Sequence, residues 1–201
     1  MAAMAESAER GGAGGIRADG EADIRAIKAR VRLPMIGILK RRDLGPDVWI
    51  TPDLRSALAV VRAGAEIIAM DGTRRPRPDG TTFAMIVREL KREVSALVMA
   101  DVSTLEEGLA AADAGADLVA TTLSGYTPYS PSQRSPDLDL VEALSGRLSI
   151  PVIAEGRYST PEDARRAIER GAHAVVVGQA ITNPMTTTRR FVAELAERHV
   201  P

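Results

Sequence analysis

A short pattern recurs along this 201-residue chain and narrows what it can fold into. A helical stretch ends in Ala or Arg. Then come Gly-Ala, one polar residue and an apolar run. The pattern reads AGAEIIAMD at 63–71, AGADLVATT at 114–122 and RGAHAVVVG at 170–178, with a weaker GGAGGIRADG at 11–20. Gly64, Gly115 and Gly171 are 51 and 56 residues apart, and Gly12 lies 52 before Gly64. That period is about twice the length of a βα unit, so the repeat is a pair of units. The glycine is expected to take the left-handed conformation that ends a helix. The run after it is apolar on both faces, as buried parallel strands require. A second set of strands lacks the Gly-Ala lead: PMIGIL at 34–39, SALVMAD at 95–101 and PVIAEG at 151–156. Pro34 and Pro151 sit at strand starts, where a missing donor is tolerated.

Seven strands are therefore expected, near 15–18, 34–39, 66–71, 95–101, 117–121, 151–155 and 174–178. Helices fill the gaps. One follows Thr51, with a Thr or Asp cap and Pro in the first turn. Another follows Ser103, with the Ser103–Glu106 capping-box spacing. A third follows Ser159, with the same cap-Pro-acid opening. Residues 2–10 read as a helix, and a last helix near 185–198 carries Phe191 and Leu195 on one face. The alternation predicts a parallel α/β fold. Closed barrels of this kind have eight strands, and the deficit lies at the N-terminus. The expectation is one domain over 1–201, a (β/α)8 TIM-type barrel lacking its first strand, N-terminally truncated and starting inside the first βα unit. An open seven-stranded sheet is the rival, but it needs a switch in strand order that the unbroken pattern does not suggest.

Composition removes several function classes. Basic and acidic residues number 26 and 27, which argues against a nucleic-acid binder working through a broad basic face. There is no cysteine, hence no disulfide framework or thiolate site, and only two histidines, His173 and His199. A His-based zinc site or triad is not expected. No apolar run approaches the ~20 residues of a membrane span, and MAAMAESAERGG is not a secretory signal. A cytoplasmic protein with no membrane partner is the expectation.

In parallel barrels the active site lies at the C-terminal ends of the strands. Those ends hold Arg17 with Asp19, Lys40 with Arg41, Asp71, Asp101, Thr121 with Thr122, Glu155, and Gly178. Five of seven end in an ionisable residue, which a purely structural barrel does not require. Lys40 and Glu155 stand out, since each directly follows an apolar strand; Asp19 and Arg41 read equally well as solvated loop charges. The last two strands end EGRYST and VVGQAITN. Loops at these positions, with a short helix N-terminus such as QAITN supplies, form the phosphate cradle of such barrels. Gly156 and Gly178 allow backbone N–H groups to approach the anion, Gln179 opens the short helix, and Arg157 adds charge-assisted donors. DGTRRPRPDG at 71–80 is a basic, turn-rich loop in which Asp71 either faces substrate or caps the next segment. TTLSGYTPYSPSQRSP at 121–136 is long for a connection and is either a lid or a rim, with Tyr126 or Tyr129 placed to close over a ring or to pack on the edge.

The runs IGILKR at 36–41, DGTRRPRP at 71–78, MADVSTLEEG at 99–108, TTLSGYTPYS at 121–130, IAEGRYSTPE at 153–162 and VVGQAIT at 176–182 resemble the bacterial N-acetylmannosamine-6-phosphate 2-epimerase family from Ala2 onward. The resemblance implies a (β/α)8 barrel that interconverts N-acetylmannosamine 6-phosphate and N-acetylglucosamine 6-phosphate in sialic acid catabolism. It implies proton transfer at C2 without metal, nicotinamide or flavin, and it suggests a homodimer. The catalytic lysine falls on Lys40, the active-site glutamate on Glu155, the arginine of the family's second strand on Arg17 and its aspartate on Asp101, with phosphate around Gly156, Arg157 and Gly178. The strand ends and loops add Asp71, Thr122 and Tyr126 as substrate-binding candidates and Gln179 beside the phosphate.

The chemistry is compatible. A base must remove the C2 proton, and other groups must stabilise an enediolate. A lysine serves once burial or a cationic neighbour favours its neutral amine; Arg41 and Arg17 are the candidate neighbours. Glu155 serves either the ring-opening proton or a sugar hydroxyl, and one base or two can serve the faces of C2. Two departures stand out. Family members begin with a strand ending in a Ser-Cys-Gln type segment, absent here, and carry Arg after AIT where this chain has Asn183. Other readings are a different phosphate-binding barrel isomerase, or a catalytically silent sugar-phosphate-binding barrel.

Overall fold

The computed structural model describes residues 1–44 and 47–197. Its strands are β1 (Ile16–Asp19), β2 (Met35–Ile38), β3 (Ile67–Asp71), β4 (Leu97–Asp101), β5 (Leu118–Ala120), β6 (Val152–Glu155) and β7 (Ala174–Val176). All seven lie where the sequence places them. They form one parallel sheet in the order β1-β2-β3-β4-β5-β6-β7. Sequential order with helical crossovers is barrel winding, without the reversal of a doubly wound sheet. β1 and β7 are the outermost strands among the described residues.

The Gly-Ala repeat is a helix stop built four times. Gly12, Gly64, Gly115 and Gly171 have φ of 92°, 107°, 95° and 94°. The alanine after each donates its N–H to the carbonyl five residues back: Ala13 to Ala8, Ala65 to Val60, Ala116 to Ala111 and Ala172 to Ala167. Each glycine itself donates to the carbonyl three residues before it. Together these are the paired bonds of a Schellman motif.

The helices are α1 (Ala2–Arg10), α2 (Glu21–Lys28), α3 (Leu54–Arg62), α4 (Phe83–Glu93), α5 (Leu105–Asp113), α6 (Leu138–Ser145), α7 (Pro161–Glu169), α8 (Gln179–Thr182) and α9 (Pro184–Glu197). The capping box expected at Ser103–Glu106 sits one residue later. Thr104 is the N-cap and accepts from the Glu107 N–H, while the Glu107 carboxylate accepts from Ser103. The cap of α3 is Asp53, not Thr51. The box of α7 is complete between Thr160 and Asp163. The helix expected near 185–198 is α9; residue 198 lies outside the described residues. Phe191, expected on an apolar face, is 70% exposed.

Strand alternation separates two cores. Met35, Ile68, Met70, Val98, Ala100, Val119 and Val152 face outward, against Ile24, Ile27, Val60, Val87, Leu90 and Leu144 of the surrounding segments. Ile36, Ile38, Ile67, Ala69, Met99, Leu118, Ala120, Ile153, Ala174 and Val176 face the interior with Trp49, Ile50 and Leu123. Helix–strand approach is close at Gly37, where a Cβ would lie 2.4 Å from a Val60 methyl.

Candidate active site

The interior alternation dictates what comes next. Two residues beyond the last interior apolar side chain, five strands reach Lys40, Asp71, Asp101, Thr122 and Glu155, and a sixth reaches Gly178. One face of one parallel sheet therefore delivers these groups to the C-terminal mouth.

A buried ion cluster holds the centre. Arg17 of β1 forks onto Asp101 of β4, Nη1 donating to Oδ1 at 3.0 Å and Nη2 to Oδ2 at 2.6 Å. Arg17 Nη1 also donates to Glu155 Oε2 of β6 at 2.7 Å. Thr122 Oγ1 donates to Asp101 Oδ1 at 2.7 Å. The Arg17 and Asp101 side chains are 8% and 0% exposed, so the charges lie in a medium where pairing counts. Burial pushes the Glu155 carboxyl up to about 7, against the pull of Arg17, and the Asp101 carboxylate adds to the rise. Burial works against the Arg17 charge, but Asp101 and Glu155 outweigh it and raise its pKa.

Lys40 stands at the rim. Its Nζ lies 3.6 Å from Asp19 Oδ2 and 5.8 Å from the centre of the Trp49 ring. Its N–H donates to Asp19 Oδ1 at 3.0 Å. The chain after β2 folds back, with a bridge between Lys40 and Ile50 and an Arg41 N–H bond to Trp49 O. The cationic neighbours expected for Lys40 are engaged elsewhere: Arg41 pairs with Asp43, and Arg17 with Asp101 and Glu155. Thr51 closes this fold-back. Fully buried, with φ of 45°, it donates its N–H to Leu39 O and accepts the Leu39 N–H at Oγ1.

Asp71 reaches the mouth but turns into its own loop. Its carboxylate accepts from Thr73 N, Thr73 Oγ1 and the Arg75 guanidinium. Burial pushes its carboxyl above the ordinary carboxylate range, against Arg75 and the Thr73 bonds. Arg77, also buried, donates to Pro52 O and Asp71 O.

The 121–136 segment is pinned at three places. Thr127 Oγ1 donates to Ser103 Oγ, which donates to Glu107. Ser124 Oγ and Gln133 Nε2 donate to Asp137 Oδ2. Arg157 donates from Nε to Ser135 O and from Nη1 to Ser124 O, both at 2.7 Å. Tyr126 is exposed, its ring centre 5.2 Å from the Arg157 guanidinium, while Tyr129 lies under Arg74. Glu107, Ser124 and Asp137 carried no signal in the sequence beyond their polarity.

Gly156 has φ of 114°, and Gly178 is the N-cap of α8 with no side-chain cap bond. Asn183 accepts the Thr186 N–H at Oδ1, so it starts α9, a role asparagine fills well. Arg189 and Arg190 are exposed. Among the described residues, no three His, Cys, Asp or Glu side chains gather as a metal-binding group.

Residues 1–197 match the model of the NanE family, described as "Putative N-acetylmannosamine-6-phosphate epimerase". The chain belongs to this family. A member from Caldanaerobacter subterraneus, described as "Putative N-acetylmannosamine-6-phosphate 2-epimerase", is 50% identical over 199 residues, covering 98% of this chain and 84% of its own. A relative of the same description from Cutibacterium acnes is 51% identical over 193 residues, covering 95% and 83%. Among solved structures, the N-acetylmannosamine-6-phosphate 2-epimerase from Clostridium perfringens superposes with a TM-score of 0.92 at 44% identity, over 96% of this chain and 84% of that one. The thiamine phosphate pyrophosphorylase from Pyrococcus furiosus, at 18% identity and a TM-score of 0.61 over 96% and 90%, shares the fold alone. In this NanE-family chain the Arg17–Asp101–Glu155 cluster joins the first, fourth and sixth described strands.

Proposed function

We propose that the chain epimerises C2 of N-acetylmannosamine 6-phosphate to give N-acetylglucosamine 6-phosphate, by removing and returning a proton, as one barrel domain. The buried Arg17–Asp101–Glu155 cluster beside Lys40 carries this reading. Lys40 and Glu155 are the acid–base groups. A carboxyl poised near 7 can hold or release a proton at working pH. Arg17 and Asp101, locked together, supply fixed charge and acceptor positions for the developing enediolate and the sugar hydroxyls. Thr122 and Tyr126 complete the sugar contacts, and Asp71 holds the wall formed by its loop. Phosphate is held by the backbone around Gly156, Gly178 and Gln179. Arg157 adds positive charge nearby while two of its nitrogens hold the 121–136 segment.

A phosphorylated sugar does not cross a bilayer unaided, which favours a cytoplasmic site of action, and no helix among the described residues is long and apolar enough to cross a membrane. Exposed Ile181, Met185, Phe191 and Val192 favour a homodimer.

Proton NMR in heavy water, with N-acetylmannosamine 6-phosphate as substrate, tests the reaction. N-acetylglucosamine 6-phosphate carrying deuterium at C2 is the expected product, and Lys40→Ala abolishes it. A folded chain that neither converts substrate nor exchanges the C2 proton overturns the reading.

A further inference from the structure

β5 ends at Ala120, yet β6 beside it runs on to Glu155. The ladder between them pairs Val119 with Val152 and Ala120 with Ile153, and its last backbone bond runs from Thr121 N to Ile153 O at 3.1 Å. Glu155 therefore lies beyond the end of this ladder. Its N–H and C=O are both met by one side chain: Thr121 Oγ1 accepts the Glu155 N–H at 3.0 Å and donates to Glu155 O at 2.9 Å. A hydroxyl has one proton to give and lone pairs to receive, so a single oxygen fills both roles. Thr121 is 1% exposed, and water does not compete for these bonds. On the other side, Glu155 is in register with Val176 of β7, a half-buried outermost strand. The firm anchor of Glu155 is thus the threonine.

We infer that Thr121 is a positioning residue for Glu155: its hydroxyl extends the β5–β6 ladder by one step and fixes where the Glu155 carboxyl sits between Arg17 and the mouth. This rests on the reading of Glu155 as an acid–base group. The groups facing that carboxyl are Arg17 from β1, Asp101 from β4, the Thr122 hydroxyl from just past β5 and Lys40 from just past β2. Thr122, the next residue, turns its hydroxyl to Asp101. The two adjacent threonines thus serve the two carboxylates of the cluster, one through backbone and one through side chain. A displacement of about 1 Å in such a group can cost roughly 100-fold in rate.

The experiment follows the protein labelled with carbon-13 at the glutamate δ-carbons, with the Glu155 signal assigned by its loss in E155Q. In the wild-type chain this carboxyl, pushed up by burial, is expected to titrate at about 7. T121V, equal in shape but without the hydroxyl, is expected to displace the midpoint by roughly half a pH unit or more. It lowers kcat by roughly 10- to 100-fold while KM changes little. T121S keeps the hydroxyl and restores both; T121A replaces T121V should the latter fail to fold. An unchanged midpoint and kcat in T121V overturns the inference, and so does T121S behaving like T121V. Loss of melting temperature alone, with midpoint and kcat intact, makes Thr121 merely structural and also overturns it. The titration needs no turnover, so an inactive wild-type chain overturns the epimerase reading while the NMR midpoints still judge Thr121.

Discussion

In the folded chain the Glu155 carboxyl keeps its proton until about pH 7, whereas its ordinary value is 4.5. Below pH 4.5 both folded and unfolded chains hold the proton, and the difference contributes nothing. As pH rises toward 7 the unfolded chain releases it first, so folding loses stability, and above 7 the loss is complete. Glu155→Gln removes that penalty. The variant is expected to be more stable than wild type at pH 8 by roughly 1–3 kcal/mol, with no advantage at pH 4, and to lose activity. Thermal melts of both proteins across pH check this, and an equal difference at both ends would refute it. The Lys40, Asp101 and Glu155 positions were legible in the sequence, because each extends an apolar alternation by one more inward step. Asp71 obeys the same rule, yet Thr73 and Arg75 draw its carboxylate into the loop. Arg157 likewise donates to two loop carbonyls. Such outcomes depend on loop partners that no strand pattern specifies. Thr121 was placed at its strand end, but its role was hidden for another reason: a hydroxyl that stands in for a ladder bond looks, in sequence, like any polar residue after a strand.

Helix ends were the most legible elements, because one glycine decides the backbone sign. Gly64, at φ of 107° after α3, has no counterpart among L residues without strain. Gly64→Ala is expected to cost roughly 1–2 kcal/mol, although the nearest neighbour of an added Cβ is a Lys28 side-chain atom at an ordinary 3.5 Å. The cost is conformational, not steric. Gly14→Ala is the control: its Cβ would meet nothing within 4 Å and its φ is not positive, so the change falls within about 0.5 kcal/mol. Urea denaturation of the two variants separates these outcomes, and equal midpoints would remove the role given to the glycine. The N-caps were less legible. Ser103 and Thr104 are both competent, and the choice falls to Thr104 because the strand-like path extends through Val102, whose N–H bonds Ala120 O. The 121–136 segment was read as lid or rim; hydrogen bonds tie it to Ser103, Asp137 and Arg157, partners that its polar composition did not specify.

At the scale of the whole molecule, the parallel winding followed from the repeat, whereas local stability depends on position within the sheet. β3, β4 and β5 each have a strand on both sides and, from Ile68, Val98 and Leu118 onward, buried side chains. β7 has one described strand neighbour and only half-buried side chains, and β1 is similarly placed on the opposite side. Amide exchange follows the cheapest opening that frees a bond, and edge elements open without the rest. Amides of β4, donating to β3 or β5 through the central ladders, are expected to exchange only on global unfolding. Those of β7 and β1 are expected to exchange much sooner, by at least about tenfold per 1.4 kcal/mol of difference. Arg17 lies on β1 and Glu155 lies next to β7, so an edge that opened freely would take the ion cluster apart. The bidentate Arg17–Asp101 pair tethers β1 across the barrel interior to β4, which predicts slower exchange in β1 than in β7. Mass-resolved exchange on wild type and Asp101→Asn tests the tether. The variant accelerates β1 selectively if the ion pair holds that edge. Equal protection of β1, β4 and β7 in the wild-type chain would instead mean that the edges are covered in solution, and the proposed dimer would be the first place to look for the cover.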